Sequence, residues 1–299
     1  MNKIIKTKTT EKVEYFYSKN PFPSYQVNEN KLDILIKGDR NILSKQFKIF
    51  AGSNKKILEA GCGTAQLSCY LAISSGNILY SLDATKKSLE VAQKFFDKEK
   101  IKNIKCIEGD LLNENILPYN FFDIIWCSGV LHHTENPYLG FQNLTKFLKK
   151  DGYLVIGLYN RYTRLRTNIR RYIYSKIKGK KNKHRFLFLF DPILRKMKKN
   201  LFKNRYKIFA WIMDQYDHIV ESQHTIDEVF EWFNNNGIEA TSYFPNNFYY
   251  TETDFEKFFN KRKLEETSFI ERILLQIYHI FGSIGSEGGI FLVIGRKKN

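Results

Sequence analysis

The chain has no long hydrophobic run. Hydrophobic residues make up 43% of its 299 positions, yet no window approaches the roughly 18 consecutive apolar residues of a membrane-spanning helix. Basic residues within positions 1–8 are not followed by an apolar segment, so we expect no secretory leader. These absences predict a cytoplasmic protein, with peripheral attachment to the inner membrane face as the one membrane association left open.

Cysteine is scarce, and its spacing does not suit a metal. Of four cysteines, Cys62 and Cys69 are seven positions apart, whereas Cys106 and Cys127 stand alone in predicted strands. Metal motifs place their cysteines in close pairs. We therefore predict no metal site and interpret the cysteines as buried, reduced thiols.

Acidic residues are nearly absent from one segment. Between Arg161 and Lys207 there are 18 Lys and Arg but a single acid, Asp191, so this segment has a charge of +17. The remaining chain has 30 basic and 30 acidic residues, so the whole net charge of +17 lies in this segment. A local excess of this size indicates an anionic partner or a strongly solvated surface.

A glycine turn is the most informative motif. An apolar run ends at Glu59, passes Gly61 and Gly63, and opens into a helical pattern that begins at Gln66. Strand, tight turn and helix in this order are typical of a nucleotide site, because glycine allows close approach and the helix start offers free amide donors. A dinucleotide site would need Gly or Ala where Gln66 stands, which argues against NAD.

Acidic residues follow the next two predicted strands. The strand 78–82 ends at Asp83, 20 residues after Gly63, where a carboxylate can accept the hydroxyls of a ribose. The strand 104–108 leads into Gly109 and Asp110. Alternating strand and helix patterns predict one enlarged α/β domain with a mainly parallel sheet.

Together these motifs resemble the class I S-adenosylmethionine-dependent methyltransferases, from Lys55 to about Tyr159. Segment 122–133 resembles that family's fourth strand and following loop, and 144–158 its next helix, glycine turn and fifth strand. The resemblance implies a doubly wound, seven-stranded, mainly parallel Rossmann-like sheet with helical insertions after strands 5 and 6 and an antiparallel last strand near 289–295. The implied organisation is an N-terminal arm or lid (1–50), a cofactor-binding core (51–160), a basic helical insert (161–223) and the rest of the core (224–299) with an aromatic insertion at 246–285.

The resemblance also implies the cofactor and its contacts. S-adenosylmethionine would be held around the methionine part and ribose by Glu59 to Thr64, at the ribose by Asp83, at the adenine by Asp110 and Leu111, and at the methyl-transfer site by Ser128. The full set of expected cofactor residues is Glu59, Ala60, Gly61, Cys62, Gly63, Thr64, Gln66, Asp83, Ala84, Asp110, Leu111 and Ser128. Taken singly, Glu59 could simply end its strand and Asp110 could cap a turn.

Histidines are the candidate general bases, since imidazole titrates near neutrality. His132 and His133 follow the fourth strand, and His218 belongs to a polar group with Asp217, Glu221 and His224 where the insert returns to the core. The alternatives are that the paired histidines shape their loop and that the second group is a polar junction.

The basic insert predicts two amphipathic helices. The first carries apolar residues at helical spacing, and the candidate partner contacts on it are Arg161, Tyr162, Arg164, Arg170 and Arg171, the arginines being expected on its surface. A polar turn at 178–183 should follow, and Asp191 with Pro192 should start the second helix. An anionic membrane surface or lipid-like acceptor, RNA, and a solvated face above packed apolar stripes are the three interpretations. In the N-terminal arm, we expect 15–25 not to be helical because of its aromatics and prolines.

The functional hypothesis is methyl transfer from S-adenosylmethionine to an oxygen, amine nitrogen or activated carbon. Methyltransferases that act on amides or exocyclic amines usually carry an Asn-Pro-Pro-Tyr-like loop after the fourth strand. This chain has Cys127, Ser128 and Gly129 at that place, so the resemblance argues against such targets. The acceptor would be a small or lipid-linked molecule. The alternatives are a tRNA- or rRNA-modifying methyltransferase that docks RNA on the insert, and a cofactor-binding subunit without activity.

Overall fold

The computed structural model describes residues 6–298 except 20, 24, 26–27, 199–200, 219, 250–251, 261–263, 265–266 and 282–288. Parts of the predicted arm (1–50) and aromatic insertion (246–285) thus lie outside the described residues. The strands are β1 (Lys56–Ala60), β2 (Ile78–Asp83), β3 (Ile104–Glu108), β4 (Phe122–Ser128), β5 (Leu148–Tyr159), β6 (Ile238–Phe244) and β7 (Ile290–Lys297).

Helices surround this sheet and build the insert. They are α1 (Lys8–Lys19), α2 (Lys31–Arg40), α3 (Ile42–Ala51), α4 (Gln66–Ala72), α5 (Lys86–Glu99), α6 (Pro137–Phe147), α7 (Leu165–Lys176), α8 (Lys180–Phe190), α9 (Pro192–Lys198), α10 (Leu201–Tyr216), α11 (Ile226–Asn235), α12 (Glu252–Asn260) and α13 (Phe269–Tyr278), with a short 3-10 helix at Leu131–His133. Among the described helices, none combines the length and apolarity needed to cross a bilayer.

The seven strands form one sheet in the order β3-β2-β1-β4-β5-β7-β6. Strands β1 to β5 pair in parallel, whereas β7 lies antiparallel between β5 and β6. This confirms the predicted seven-stranded, mainly parallel sheet and its antiparallel last strand. The chain order reverses between β1 and β4, so the carboxyl ends of β1, β2, β4 and β5 meet along one edge, where ligands bind in such folds.

Alternating strand residues pack into two separate cores. In β1, Ile57 belongs to the core on one face of the sheet and Leu58 to the core on the other. Both are fully buried. A parallel sheet covered on both faces needs such continuous apolar strands. The strands could therefore be recognised from the sequence.

Several local expectations hold because their signals are local. Asp191 accepts hydrogen bonds from the backbone N–H of Ile193 and Leu194 at 2.8 and 3.0 Å and starts α9, as predicted. The expected capping box of Thr225 and Glu228 begins α11.

Two expectations about helices are wrong. Of the segment 15–25, which was expected not to be helical, residues 15–19 lie inside α1, which ends at Lys19, before the prolines. The rings of Phe16 and Tyr17 pack near the ring of His218, with centroids 5.1 and 5.8 Å away. The predicted polar turn at 178–183 is mostly helical, since α8 begins at Lys180, directly after Gly179 with its positive φ of 82°. The connection between α7 and α8 is limited to residues 177–179.

The insert has a small hydrophobic core of its own. Its buried members are Tyr174, Leu187, Leu194, Ile208, Ile212 and Tyr216. The apolar run at 186–190 is therefore divided by the helix α8, with Leu187 inside this core and Leu189 exposed.

Helix α7 does not bury its apolar stripe in the protein. Its apolar residues face outward: Leu165, Ile169 and Tyr172 are 49%, 53% and 67% exposed, and Ile173 is exposed as well. The interpretation in which this stripe packs on the domain is thus wrong. The side chain of Arg164, expected on the surface, is fully buried because it pairs with Glu221.

Candidate active site

The glycine turn between β1 and α4 leaves no room for side chains. Gly61 and Gly63 have φ of 73° and 55°, a region that L-residues rarely adopt. A Cβ on Gly61 would lie 2.2 Å from the Val130 side chain, and one on Gly63 would lie 2.0 Å from the carbonyl oxygen of Phe22. The backbone N–H groups of Gly61 and Cys62 donate to the Leu82 carbonyl at 2.7 and 3.0 Å. The turn is therefore fixed to the end of β2.

Asp83 lies directly beside this turn. Its Oδ2 accepts the Gly63 N–H at 2.7 Å and its Oδ1 accepts the Thr85 N–H at 2.8 Å. Burial raises the pKa of this carboxyl, and the two backbone donors oppose that shift. Each carboxylate oxygen can accept two hydrogen bonds, so Asp83 keeps capacity for further donors such as sugar hydroxyls.

Glu59 acts on the helix that follows the turn. Its Oε2 accepts the backbone N–H of Ser68 at 2.8 Å and the Ser68 hydroxyl at 2.5 Å, which holds the first turn of α4. Burial raises the pKa of Glu59 to about 7. Gln66 begins the same helix, and its buried Nε2 has no hydrogen-bond partner among the described residues. A donor is thus left over beside the glycine turn, which fits a polar ligand there.

The N-terminal arm contacts the other acidic positions. Asp110 caps its own turn, because Oδ1 accepts the Leu112 N–H at 2.9 Å, while Oδ2 accepts the Thr10 hydroxyl at 2.6 Å. Lys6 donates to the Ala84 carbonyl and to Glu108, both at 2.9 Å. The hydroxyl of Thr64 donates to the Pro23 carbonyl. The remaining expected cofactor residues have these positions: Ala60 and Ser128 end β1 and β4, and Leu111 is buried after Asp110.

Three histidines form a stack at the same edge of the sheet. Their loop starts at Val130, which contacts Gly61, and continues through His132 and His133. The rings of His133 and His218 are stacked with centroids 3.7 Å apart, and the ring of His132 meets that of His133 edge to face at 4.3 Å; we call the three rings the histidine stack. The structure therefore brings together the two histidine groups that the sequence separated.

The stack is buried and electrically neutral. Burial lowers the pKa of His133, lowers that of His132 well below its usual range, and lowers that of His218 to about 2. Buried Nε2 atoms of His132 and His218 have no hydrogen-bond partner among the described residues. His224 is elsewhere in the junction, with Nδ1 at 2.8 Å from Glu228 and Nε2 at 2.8 Å from the Ser222 hydroxyl.

Polar residues that the sequence did not single out complete the cluster. The hydroxyls of Tyr17 and Tyr159 donate to Asp214 at 3.3 and 3.2 Å, and Gln215 donates to the Tyr159 hydroxyl at 2.9 Å. The Tyr159 ring stacks on His132 with centroids 4.0 Å apart. The sequence signals for them are that Tyr159 directly follows the predicted fifth strand and that Tyr17 lies in the predicted arm or lid.

The arginines expected to contact a partner divide into two groups. Arg164 donates to both carboxylate oxygens of Glu221, at 3.1 and 2.6 Å, and lies 4.0 Å above the Tyr159 ring. Arg171 also reaches Glu221, at 3.1 Å. Arg170 donates to the Tyr216 hydroxyl at 3.1 Å. Only Arg161 is exposed, while Tyr162 is half-buried. The buried ion pair of Arg164 and Glu221 therefore borders the Tyr159 ring, which stacks on His132.

This arrangement can hold a nucleotide-like cofactor and move a proton next to it. The glycine turn, Asp83 and Gln66 form a cradle. It allows a ligand to approach the backbone closely, and it offers the Asp83 carboxylate at the end of β2 and the unpaired amide donor of Gln66. Val130 lies between the glycine turn and the loop of His132 and His133, so the cradle adjoins imidazoles that are buried from water.

Comparisons with known proteins agree with this geometry. A family model described as a methyltransferase domain matches residues 51–269, more than half of the chain. Ubiquinone biosynthesis O-methyltransferases are 32% identical over 110 residues in Actinobacillus pleuropneumoniae (36% of this chain, 47% of that protein) and 36% identical over 112 residues in Glaesserella parasuis (36% and 46%). The chain thus spans about half the length of the curated relatives it matches. PKMT2 from Rickettsia typhi, solved in complex with AdoHcy, shares the fold at a TM-score of 0.58 and 16% identity, covering 82% of this chain and 49% of that one.

Proposed function

The chain belongs to the methyltransferase domain family as a class I S-adenosylmethionine-dependent methyltransferase, and from that premise we propose that it methylates an oxygen of a small or lipid-linked acceptor. The observation that carries this proposal is the stack of neutral histidines joined by Val130 to the glycine turn. Oxygen is favoured over nitrogen or carbon because the matched relatives are named O-methyltransferases, and a hydroxyl acceptor gives the histidines a proton to remove.

For the cofactor, we propose the roles that its chemistry requires. Asp83 would accept the ribose hydroxyls, Asp110 and Leu111 would contact the adenine, and the turn from Gly61 to Thr64 with Gln66 would hold the methionine part. Bound S-adenosylmethionine supplies a methyl group already activated by a positive sulfur. The chain's own residues then have to align the acceptor, exclude water and take one proton.

We propose that the N-terminal arm is a lid over the cofactor. Its support is the contact of Thr10 with Asp110, of Lys6 with the Ala84 carbonyl, and of Tyr25, whose hydroxyl donates to the Thr64 carbonyl at 3.0 Å. Tyr17 on α1 extends the same cover to Asp214 in the histidine cluster. One helix would thereby close both the cofactor end and the acceptor end.

The lipid-linked class is supported by the outward face of α7. Leu165, Ile169 and Tyr172 form an exposed apolar stripe, and Arg166 next to them donates to the carbonyls of Ile280 and Phe281 at 3.3 Å. The Phe281 side chain is 81% exposed, so the apolar surface continues past α7. An apolar face within a segment of charge +17 suits an anionic membrane, where apolar side chains enter the interface and cations meet the headgroups.

RNA is the alternative occupant of the insert. It would use the same positive charge, but phosphate binding does not need exposed aliphatic side chains such as Leu165 and Ile169. A second copy of the chain is opposed by charge, since it would bring two segments of +17 together.

Calorimetric titration with S-adenosylmethionine tests the cofactor assignment. We expect binding by the wild-type protein, loss of at least tenfold in affinity in Asp83→Ala, and no change in Asp97→Ala, whose side chain is exposed on α5. Equal affinity in both variants would contradict the role of Asp83, and absence of binding in the wild-type protein would contradict the function. Transfer of labelled methyl groups to phenols, aromatic hydroxy acids and prenylated phenols then tests the acceptor class.

Vesicle sedimentation tests the docking face. We expect binding to vesicles rich in phosphatidylglycerol and not to pure phosphatidylcholine, with binding reduced in Ile169→Glu. Ile49→Glu is the matched control, because Ile49 is 63% exposed on α3, outside the insert. Salt-sensitive binding of bulk tRNA, unaffected by Ile169→Glu and without vesicle binding, would favour the RNA alternative instead.

A further inference from the structure

The hydrogen-bond network fixes the tautomer of His133. Its Nδ1 lies 2.7 Å from the carbonyl oxygen of Val220, 87 residues later in the chain. A carbonyl oxygen can only accept, so Nδ1 carries the proton. In the neutral imidazole the other nitrogen then has a lone pair. The Nε2 of His133 is thus able to accept a proton.

His132 and His218 have the opposite tautomer. The backbone N–H of Tyr159 donates to Nδ1 of His132, and that of Val220 donates to Nδ1 of His218, both at 3.3 Å. A backbone N–H can only donate, so each Nδ1 has the lone pair and each Nε2 carries the proton. These are the same two Nε2 atoms that are buried without a hydrogen-bond partner among the described residues.

Two unpaired buried donors are costly unless a ligand meets them, because a buried polar group without a partner loses its hydration. Both imidazoles are packed on the ring of His133, which presents the complementary lone pair. The stack therefore contains two donors and one acceptor within one buried cluster.

The surroundings also distinguish His133 as the proton acceptor. Burial opposes its protonation, but the carboxylates of Asp214 and Glu221 raise the pKa of His133, against Arg164, which lowers it. For His132 the largest influences after burial are His133, Arg164 and His218, and all three lower the pKa further. The groups that face the stack are Tyr17 from α1, Tyr159 from β5, Arg164 directly before α7, Arg171 from α7, Asp214 from α10, and Glu221 with His224 from the returning segment.

We propose that His133 is the general base of the reaction and that His132 and His218 are neutral N–H donors that bind an oxygen of the acceptor. This inference rests on the proposed function. The acceptor hydroxyl gives its proton to Nε2 of His133 while its oxygen forms the bond to the methyl carbon and the carbon–sulfur bond breaks. The electron pair of that bond returns to sulfur, and His133 later releases the proton to water.

The donor pair also defines the class of acceptor. Two N–H groups require lone pairs, so the acceptor carries a carbonyl, carboxylate or second hydroxyl oxygen near the hydroxyl that is methylated. A protonated amine has no lone pair to offer and would leave both donors unmet. The site therefore selects hydroxy-carbonyl, hydroxy-acid or vicinal dihydroxy compounds over amines.

Nitrogen NMR of the histidine rings tests the assignment without any acceptor. The chain has six histidines, and single His→Asn variants assign their signals. We expect a protonated Nδ1 in His133 and a protonated Nε2 in His132 and His218 in uniformly ¹⁵N-labelled protein at pH 7.5. A protonated Nε2 in His133, or a protonated Nδ1 in either of the other two, would overturn the proposal.

Steady-state kinetics then separates the roles, using whichever compound of the acceptor panel the wild-type protein methylates. His133→Asn should lower kcat by about 10²- to 10⁴-fold and remove the acidic limb of the pH profile. His218→Gln places an amide N–H donor near the position of Nε2 and should stay within about tenfold of wild type, whereas His218→Phe should raise KM by more than that factor. Equal losses in His133→Asn and His218→Gln would refute the division of roles.

The two tests fail in different ways. If no panel compound is methylated and the cofactor does not bind, the proposed function is wrong, yet the NMR result still decides the tautomers. If methylation occurs but His133→Asn keeps the wild-type pH profile, the proposed function stands and this inference is wrong.

Discussion

The ion pair between Arg164 and Glu221 allows the sharpest test of how the insert is attached to the core. Arg164 lies at the start of α7 with a fully buried side chain, and it donates to both oxygens of Glu221 and to Gln215. Arg164→Met keeps much of the apolar stem but removes every one of these donors. The variant therefore leaves the buried carboxylate of Glu221 with Arg171 as its remaining cationic partner.

Removing one partner of a buried ion pair costs about 3–5 kcal/mol of the free energy of unfolding. Because Arg171 still compensates Glu221, we expect the lower end, about 3 kcal/mol. The double variant Arg164→Met with Glu221→Gln no longer holds an uncompensated charge, so its loss should be smaller than the sum of the single losses by about 1–3 kcal/mol. Arg161→Met is the matched control: its side chain is 59% exposed, 3.6 Å from Glu228, and should change stability by less than about 1 kcal/mol.

Urea denaturation followed by tryptophan fluorescence measures these energies. Burial opposes ionisation of Glu221, but Arg164 and Arg171 outweigh it and lower the pKa of Glu221 below 4.5. A carboxyl with a lowered pKa in the folded state stabilises the protein above its unfolded pKa and loses that contribution as pH falls. The wild-type advantage over Glu221→Gln should therefore shrink below about pH 4.5. Strict additivity of the two substitutions at pH 7 would refute the coupling inferred from the geometry.

Three further predictions concern the site. Gly63→Ala should abolish S-adenosylmethionine binding in calorimetry. The control Gly52→Ala should bind normally and only lose stability, because Gly52 also has a positive φ but nothing lies within 4 Å of an added Cβ. Equal binding by the two variants would contradict the proposed cradle. Burial lowers the pKa of His218 to about 2, so the unfolded chain binds a proton that the folded protein does not, and the free energy of unfolding falls as pH drops below about 6.5. His218→Gln should reduce the dependence of this free energy on pH by up to about 1.4 kcal/mol per pH unit. Parallel plots of the free energy of unfolding against pH for the two proteins would argue against a neutral, buried imidazole. Amide exchange in Lys8–Lys19 should slow on addition of S-adenosylhomocysteine if the arm is a lid, and unchanged exchange would refute that role.

The sheet and the glycine turn could be predicted because their signals are short-range. The pattern for strand β1 and the turn at Gly61 occupies ten consecutive residues, and the capping box that begins at Thr225 spans four residues. Such features depend on backbone conformation and on nearest neighbours along the chain. Their positions in the structure agree with the sequence for that reason.

The orientation of α7 could not be predicted, because amphipathic spacing defines two faces but not which one is buried. That choice depends on Glu221, which lies 57 residues after Arg164 and gives the arginine face a partner inside the protein. The histidine stack has the same origin, since His218 reaches His133 only through the fold of the whole insert. Sequence reasoning identified these residues and missed their arrangement.

The orientation of α7 links the two halves of the proposed function. The buried ion pair turns Arg164 toward the Tyr159 ring and the histidine stack, and the next residue, Leu165, consequently faces outward. An acceptor with a lipid chain would need a reactive head near the stack and an apolar route to the surface. Helix α7 and Arg164 directly before it border both the histidine stack and the apolar surface. A substitution that removes the contact of Arg164 with Glu221 should therefore impair membrane binding and methyl transfer together. A small, freely diffusing acceptor would give no such reason for an outward apolar face, and loss of transfer with membrane binding intact in Arg164→Met would favour it.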